Sequence, residues 1–341
     1  MPRARCCNST AGSGSSTSLT SSRAGASEGL QMPATAVKLQ TVETPDPARH
    51  IREFLNGFSV EASGLDDAAL LGLKTALPAG TAVYLTALPG RAPDQTVETA
   101  MRLRALGFEP VPHIAARSIA DHGALDELLA RLAALAQVRC VLAVAGDRDM
   151  PLGPFGSALD LIESGLLQRH GITEAGIAGY PDGHRRIGFD TLARALAAKI
   201  ETADHTGLRV HIVTQFGFEA APIVDWLRRL RDLGIEQPVR VGMAGPVSLS
   251  ALLRYARHCG VRASAQGLTR NAGLVKHLIG WHAPDGLIRP LAEACAGGRL
   301  GQVAAHFYSF GGAAATSRWA AAAASGRFVL DRTDGFRVEP P

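Results

Sequence analysis

The sequence predicts a (β/α)8 barrel, the TIM-barrel architecture, on three observations. Apolar, β-branched runs alternate with amphipathic runs from residue 57 onward, the pattern of an α/β fold. Eight such units span about 270 residues, the size of one barrel. Polar residues stand at the ends of successive apolar runs, and a barrel builds its site at the C-terminal ends of its strands. An open doubly wound sheet alternates in the same way, but eight units favour closure.

Apolar runs bounded by Gly or Pro place strands at 57–62, 82–88, 109–115, 139–146, 175–180, 209–216, 239–244 and 303–309. Helical spacing places helices at 66–77, 94–106, 124–136, 157–169, 189–204, 220–233 and 248–259, with a last one near 313–326. Leu125, Leu128, Leu129, Leu132 and Leu135 make one apolar stripe, and Ile223, Trp226, Leu227 and Leu230 another. The stretch 261–300 exceeds an ordinary loop and is expected to carry extra helical turns after the seventh strand.

Residues 1–31 are rich in Ser, Thr, Gly and Arg and nearly lack acidic and large apolar residues, so they cannot bury a core. The composition is that of an organelle transit peptide. The simpler reading is a tail, or an extension upstream of a chain that starts at Met32. The expected organisation is a poorly ordered extension over 1–50, one barrel domain over 51–330, and a C-terminal tail over 331–341.

Of the 341 residues, 46% are hydrophobic and 19% charged, enough to bury a sizeable core. The net charge is +4 and the arginines are scattered, which argues against nucleic acid. No apolar stretch approaches the ~20 residues of a membrane helix. Thr316, Ser317, Arg318 and Trp319 interrupt the Ala-rich run 313–324. The cysteines, Cys6, Cys7, Cys140, Cys259 and Cys295, are odd in number, irregularly spaced and without a C-x-x-C. A disulfide scaffold and a structural zinc site are therefore not expected, and a cytoplasmic location is. No G-x-G-x-x-G opens a βαβ unit, and Walker A and H-E-x-x-H motifs are absent, so any dinucleotide must be held by barrel loops.

The strand-end residues each admit a functional and a plainer reading. Glu61 is a candidate general acid with a carboxyl raised by an apolar surround, or a solvated acid before the helix near Asp66. His113, after Pro112, is a catalyst or a satisfied rim histidine. Asp147 can bind an N–H-bearing ring edge, with Gly146 allowing close approach of a ligand to backbone, or it is a turn residue. In Tyr180-Pro-Asp-Gly-His184, Tyr180 can stack on a flat ring and His184 can meet a phosphate, or the segment is a Pro-Asp-Gly turn. Lys199 is a phosphate ligand or a solvated helix lysine. Gln215, unusual in an apolar run, offers one acceptor and two donors to a pterin-like edge.

Taken together, these segments resemble the methylenetetrahydrofolate reductase family over roughly residues 55–312. The resemblance rests on Phe58-Ser-Val-Glu61, Pro112-His113, Ala145-Gly-Asp147, Ala178-Gly-Tyr-Pro-Asp-Gly-His184, Lys199, Thr214-Gln-Phe216 and Phe307-Tyr308, in that order. It implies a flavoprotein of one-carbon metabolism, on the way to methionine, that uses FAD and NAD(P)H to interconvert 5,10-methylene- and 5-methyl-tetrahydrofolate. It implies Glu61 and Asp147 as catalytic residues, the first as general acid and the second as the aspartate beside flavin and pterin. Thr86, His113, Gly146, Tyr180, His184 and Lys199 fall on the cofactor side, and Gln215, Phe218 and Tyr308 on the folate side. No metal is implied, and a homo-oligomer is expected by analogy alone.

The chain departs from the family pattern at four places. Ala62-Ser63-Gly64 replace aromatic and proline residues, Ala145 replaces an arginine, Leu252 stands near an expected glutamine, and Gly311-Gly312 replace an arginine, with Arg318 the nearest substitute. These departures suit a divergent, barrel-only form. They also suit a barrel that keeps folate or flavin binding without turnover, or a catabolic variant that oxidises methyl-tetrahydrofolate.

Overall fold

Eight parallel strands close into a barrel in the computed structural model, which describes residues 46–88, 90–259, 281–332 and 335–339. They are β1 (Ser59–Ala62), β2 (Ala82–Leu85), β3 (Glu109–Ala115), β4 (Cys140–Val144), β5 (Glu174–Gly179), β6 (Arg209–Thr214), β7 (Val239–Ala244) and β8 (Val303–Tyr308). Closure is made by β1, which places Glu61 opposite Tyr308 of β8 on one side and Tyr84 of β2 on the other. The protein is a (β/α)8 TIM barrel, and the open-sheet alternative is excluded. The chain divides after Thr44, and every described residue belongs to the unit Pro45–Pro341.

The helices are α1 (Pro47–Leu55), α2 (Asp67–Ala76), α3 (Pro93–Ala105), α4 (His122–Ala136), α5 (Ala158–Glu163), α6 (Leu166–Arg169), α7 (Phe189–Thr206), α8 (Ala220–Asp232), α9 (Leu249–Cys259), α10 (Asp285–Cys295) and α11 (Ala313–Ala324). Side-chain caps fix several starts. Asp66 accepts from Ala69 N at 2.8 Å, Asp121 from Ala124 N at 2.8 Å, and Ser157 and Asp160 form a reciprocal capping box.

Four expectations need correction. The helix read over 157–169 is two, because Gly165 adopts a left-handed conformation (φ 67°) between α5 and α6. The boundary at residue 50 cuts through α1, which Asp46 caps and Pro47 opens, and which buries Ile51, Phe54 and Leu55. The tail is structured where described, since Phe336–Val338 pairs antiparallel with Phe328–Leu330. Leu135 is 52% exposed, because it sits roughly 80° around the helix from Leu125, at the edge of the stripe. Of the insertion 261–300, α10 is helical as expected, and residues 260–280 lie outside the described residues.

The core has two layers. A large shell between strands and helices contains Leu125, Leu129, Leu132, Ile212, Leu227, Met243 and Phe307, all fully buried. Each such side chain contributes about 1.5–3 kcal/mol. Inside the barrel, Tyr84, Val111, Leu142 and Val213 form a second, smaller cluster. Alternate strand residues point inward. The barrel interior is therefore a short apolar plug with polar side chains above and below it.

Candidate active site

The polar group above the plug centres on Glu61. It shares the inward face of β1 with Ser59, two residues earlier. Glu61 Oε1 accepts from the Thr86 hydroxyl at 2.9 Å, just past the end of β2. Glu61 Oε2 lies 3.5 Å from His113 Nε2 on β3 and 3.6 Å from His306 Nε2 on β8. The three side chains are 11%, 9% and 0% exposed. His306 Nδ1 bonds the Ser59 hydroxyl at 2.9 Å, and Arg240 of β7 donates to that hydroxyl at 3.2 Å and to the Gly57 carbonyl at 3.2 Å.

Burial alone would push the Glu61 carboxyl up, but His113, His306 and the Thr86 hydroxyl outweigh it and hold the group below its ordinary range. Burial pushes both imidazoles down, and the carboxylate opposes that shift. The expectation of an acid raised by an apolar surround is thus corrected, because two imidazoles and a hydroxyl surround Glu61. Proton affinity here belongs to the three groups jointly. His113 lies inside β3, which continues two residues past it.

The polar group below the plug is formed by Tyr84, His211, Glu174 and Cys140. The Tyr84 hydroxyl is 2.7 Å from His211 Nε2, and His211 Nδ1 is 2.7 Å from Glu174. Cys140, Glu174 and His211 are the one metal-capable group among the described residues, with donor atoms within 4.8 Å of one another. Glu174 is already engaged by His211 and by Arg209 at 3.5 Å. Burial pushes the Cys140 thiol up to about 12, so it stays neutral. The group reads as an ion-pair network with a buried thiol.

Three cofactor-side residues gather at the mouth, on the loops after β4 and β5. Gly146 takes φ 88°, where a Cβ would stand 3.0 Å from that of Ala115, so glycine is required. Asp147 is exposed, and its charge acts on Tyr180. Burial, then Asp147, pushes the Tyr180 hydroxyl up. Tyr180 meets His184 edge to face at 5.3 Å, and His184 Nδ1 accepts from Arg186 N at 3.2 Å. Arg186 pairs with Asp149 at 2.8 Å, tying the two loops together. Met150 and Ile187 are exposed on them, as is Phe189 at the start of α7. Lys199 lies on α7, with burial pushing it down to about 8 and no ion-pair partner among the described residues. Asp147 and Lys199 are not among the groups that touch Glu61.

The folate-side residues meet in an aromatic wall. Phe216 packs edge to face against Phe218 and Tyr308, each at 5.7 Å, and against Phe310 at 5.0 Å. Phe310 stacks on Tyr255 at 4.2 Å. Tyr308 reaches across β7 to donate to the Thr214 carbonyl at 3.0 Å. Gly242 makes this possible, since a Cβ there would be 2.3 Å from that carbonyl oxygen and 2.7 Å from the Tyr308 ring. Gln215 is half-buried, and its side-chain oxygen accepts from Phe216 N at 3.1 Å. Its amide donors have no protein partner among the described residues. Leu252 is 1% exposed and packs with Ala244 and Val247, while Arg318 is exposed.

Ser59, Tyr84, Arg240, His306, Phe216 and Phe310 were not anticipated. A signal existed for two of them, because Ser59 and His306 stand two residues before Glu61 and Tyr308 and so share their faces.

No family model matches the chain. Among solved structures, an uncharacterized protein from Clostridium thermocellum that binds two copies of 5-methyl-5,6,7,8-tetrahydrofolic acid is similar over 78% of this chain and 96% of its own, with TM-score 0.50 and 12% identity. Dihydropteroate synthase from Thermus thermophilus is similar over 76% and 89%, with TM-score 0.40 and 16% identity. D-psicose 3-epimerase from Clostridium cellulolyticum is similar over 65% and 97%, with TM-score 0.37 and 13% identity. At these identities the likeness is one of fold. No helix among the described residues is long and apolar enough to cross a membrane.

Proposed function

We propose that this chain is a folate-handling oxidoreductase that interconverts 5,10-methylene- and 5-methyl-tetrahydrofolate, with FAD as cofactor and NAD(P)H as co-substrate. The observation that carries the reading is the enclosed Glu61 carboxylate, fixed at the barrel mouth between Thr86, His113 and His306. The folate ligand of the Clostridium thermocellum barrel, which this fold matches over most of that chain's length, supports the substrate class.

The chain's residues suit a flavin dinucleotide. The half-buried Lys199, with no ion-pair partner among the described residues, is a ready partner for phosphate, and Gly146 opens backbone to a flat ring. Tyr180 and His184 would line the same side. When bound, the flavin would supply hydride transfer between the nicotinamide and the one-carbon unit. Glu61, held as a carboxylate, would take up a proton from solvent by way of its two imidazoles and pass it to N10 of the folate as the five-membered ring opens. Gln215 would offer its amide donors to the pterin edge, with Phe218 and Tyr308 closing the apolar side. Asp147, at the mouth, would orient the same ring.

One observation favours a second reading, a folate binder without turnover. The side chain near the expected second glutamine is Leu252, buried against apolar neighbours and unable to hold a polar ring edge. An anaerobic absorption spectrum before and after 5-methyl-tetrahydrofolate tests both. A bound flavin that bleaches supports the oxidoreductase. Flavin that binds but does not bleach supports the binder. Failure to take up FAD on reconstitution overturns the proposal. Glu61→Gln should abolish folate turnover and spare flavin reduction by NAD(P)H, and survival of folate turnover would remove Glu61 from its role.

A further inference from the structure

We propose that Ser59 and Arg240 are positioning residues that pin His306 as the neutral tautomer carrying its proton on Nε2, the atom that faces Glu61. The inference deepens the reading of Glu61 as the proton-handling group and rests on it for its catalytic consequence only. The tautomer itself follows from counting hydrogens.

Arg240 has protons to give and no lone pair to offer. One Nη1 stands 3.2 Å from both the Gly57 carbonyl and the Ser59 hydroxyl, and its two N–H groups serve one each. The Ser59 oxygen is therefore an acceptor toward Arg240. Its single proton goes to the one remaining partner, His306 Nδ1 at 2.9 Å. Nδ1 then accepts, and the neutral ring must carry its proton on Nε2. That proton points at Glu61 Oε2, 3.6 Å away. A doubly protonated ring would aim Nδ1–H at an oxygen that already accepts from Arg240, leaving the hydroxyl proton without a described acceptor.

The surroundings favour the same form. His306 and Ser59 are fully buried, Arg240 and His113 press against a second positive charge, and the Tyr84 ring packs 4.7 Å away. The relay spans three adjacent strands, from β7 past β8 to β1, so the fold itself sets its geometry. Its consequence is that Glu61 faces a donor and not a lone pair. If His306 turned its bare Nε2 toward the carboxylate, two acceptors would meet, and a proton would be held between them instead of being passed to substrate.

Ser59→Ala tests this by nitrogen-15 NMR of histidine-labelled protein, which reads the tautomer directly. Wild type should show His306 with Nδ1 unprotonated. In Ser59→Ala the Nδ1-protonated form should appear, whereas Ser59→Thr, which keeps the hydroxyl, should retain the wild-type pattern. Folate turnover in Ser59→Ala should lose roughly five- to tenfold in kcat, the weight of one hydrogen bond, with KM little changed. Should Ser59→Ala not fold, Arg240→Met carries the same tautomer readout. A His306 tautomer indifferent to the alanine or methionine change overturns the proposal. A tautomer that shifts while Glu61→Gln still turns over folate leaves the relay standing and removes the role of Glu61.

Discussion

The Tyr84 hydroxyl sits 2.7 Å from His211 Nε2 inside the barrel, and His211 rests on Glu174 at 2.7 Å. A carboxylate that cannot donate fixes the histidine proton on Nδ1, so Nε2 accepts from Tyr84. The same tyrosine ring meets His306 edge to face at 4.7 Å and His113 at 6.4 Å. Tyr84 therefore fills the middle of the barrel and supports the imidazoles that surround Glu61. Tyr84→Phe keeps the ring and strands a buried acceptor, which costs about 1–3 kcal/mol. Urea unfolding measures it, and a loss below about 0.5 kcal/mol would mean that the hydroxyl has no structural role.

Gly242 lets Tyr308 cross β7. Gly242→Ala places a Cβ against the Thr214 carbonyl and the Tyr308 ring, so the ring must leave and its hydrogen bond break. Overpacking of this kind costs about 1–3 kcal/mol. Gly188→Ala, where nothing lies within 4 Å, should be close to neutral. Equal melting temperatures for the two variants would show that the strand simply yields.

Acid should weaken the fold through His306. Its folded pKa lies below the ordinary 6.5, chiefly because it is buried. As pH falls through 6.5 the unfolded chain takes a proton that the folded chain resists. Unfolding free energy therefore drops with pH in that window. Asp182 and Asp285, pushed up to about 6 mainly by burial, act with the opposite sign only at and below that pH. Between pH 7.5 and 6, then, thermal stability should decline, and His306→Gln should decline less steeply. His113, His184, His211 and His282, also held down, keep some slope in the variant. Identical slopes would mean that His306 is charged in the fold.

What could be read in advance follows the physics of each element. The eight strands were legible because each is a continuous apolar run, as two-sided burial demands. Glu61 and His113 were legible as polar residues in apolar runs, and Thr86 only through the family resemblance; the structure brings the three together, with His113 inside its strand. Arg240 was not, because its reach past β8 to Ser59 depends on the stagger of a closed barrel. Helix α1 was hidden because its stripe, Ile51, Phe54 and Leu55, is short and follows two prolines. Gly165 lies inside the helix placed over 157–169, and only its left-handed backbone shows that α5 ends there. The aromatic wall assembles residues from the ends of β6 and β8 and from α9, far apart in sequence and brought together because only β7 separates the two strands.

Lys199 should trade stability for ligand binding. Burial lowers it to about 8, yet at pH 7 it is charged in both folded and unfolded states, so the fold bears the cost of a half-buried charge with no ion-pair partner among the described residues. Between pH 8 and 10.5 the unfolded chain holds more protons, and stability contributed by this site rises with pH. Lys199→Met keeps the apolar stem and removes the charge. It should melt higher than wild type at pH 7, and the difference should shrink as pH approaches 10. Added FAD should reverse the order, since an anionic ligand restores the partner that the lysine lacks and stabilises wild type more than the variant. A variant no more stable at pH 7, with an unchanged response to FAD, would return Lys199 to the plain solvated helix lysine.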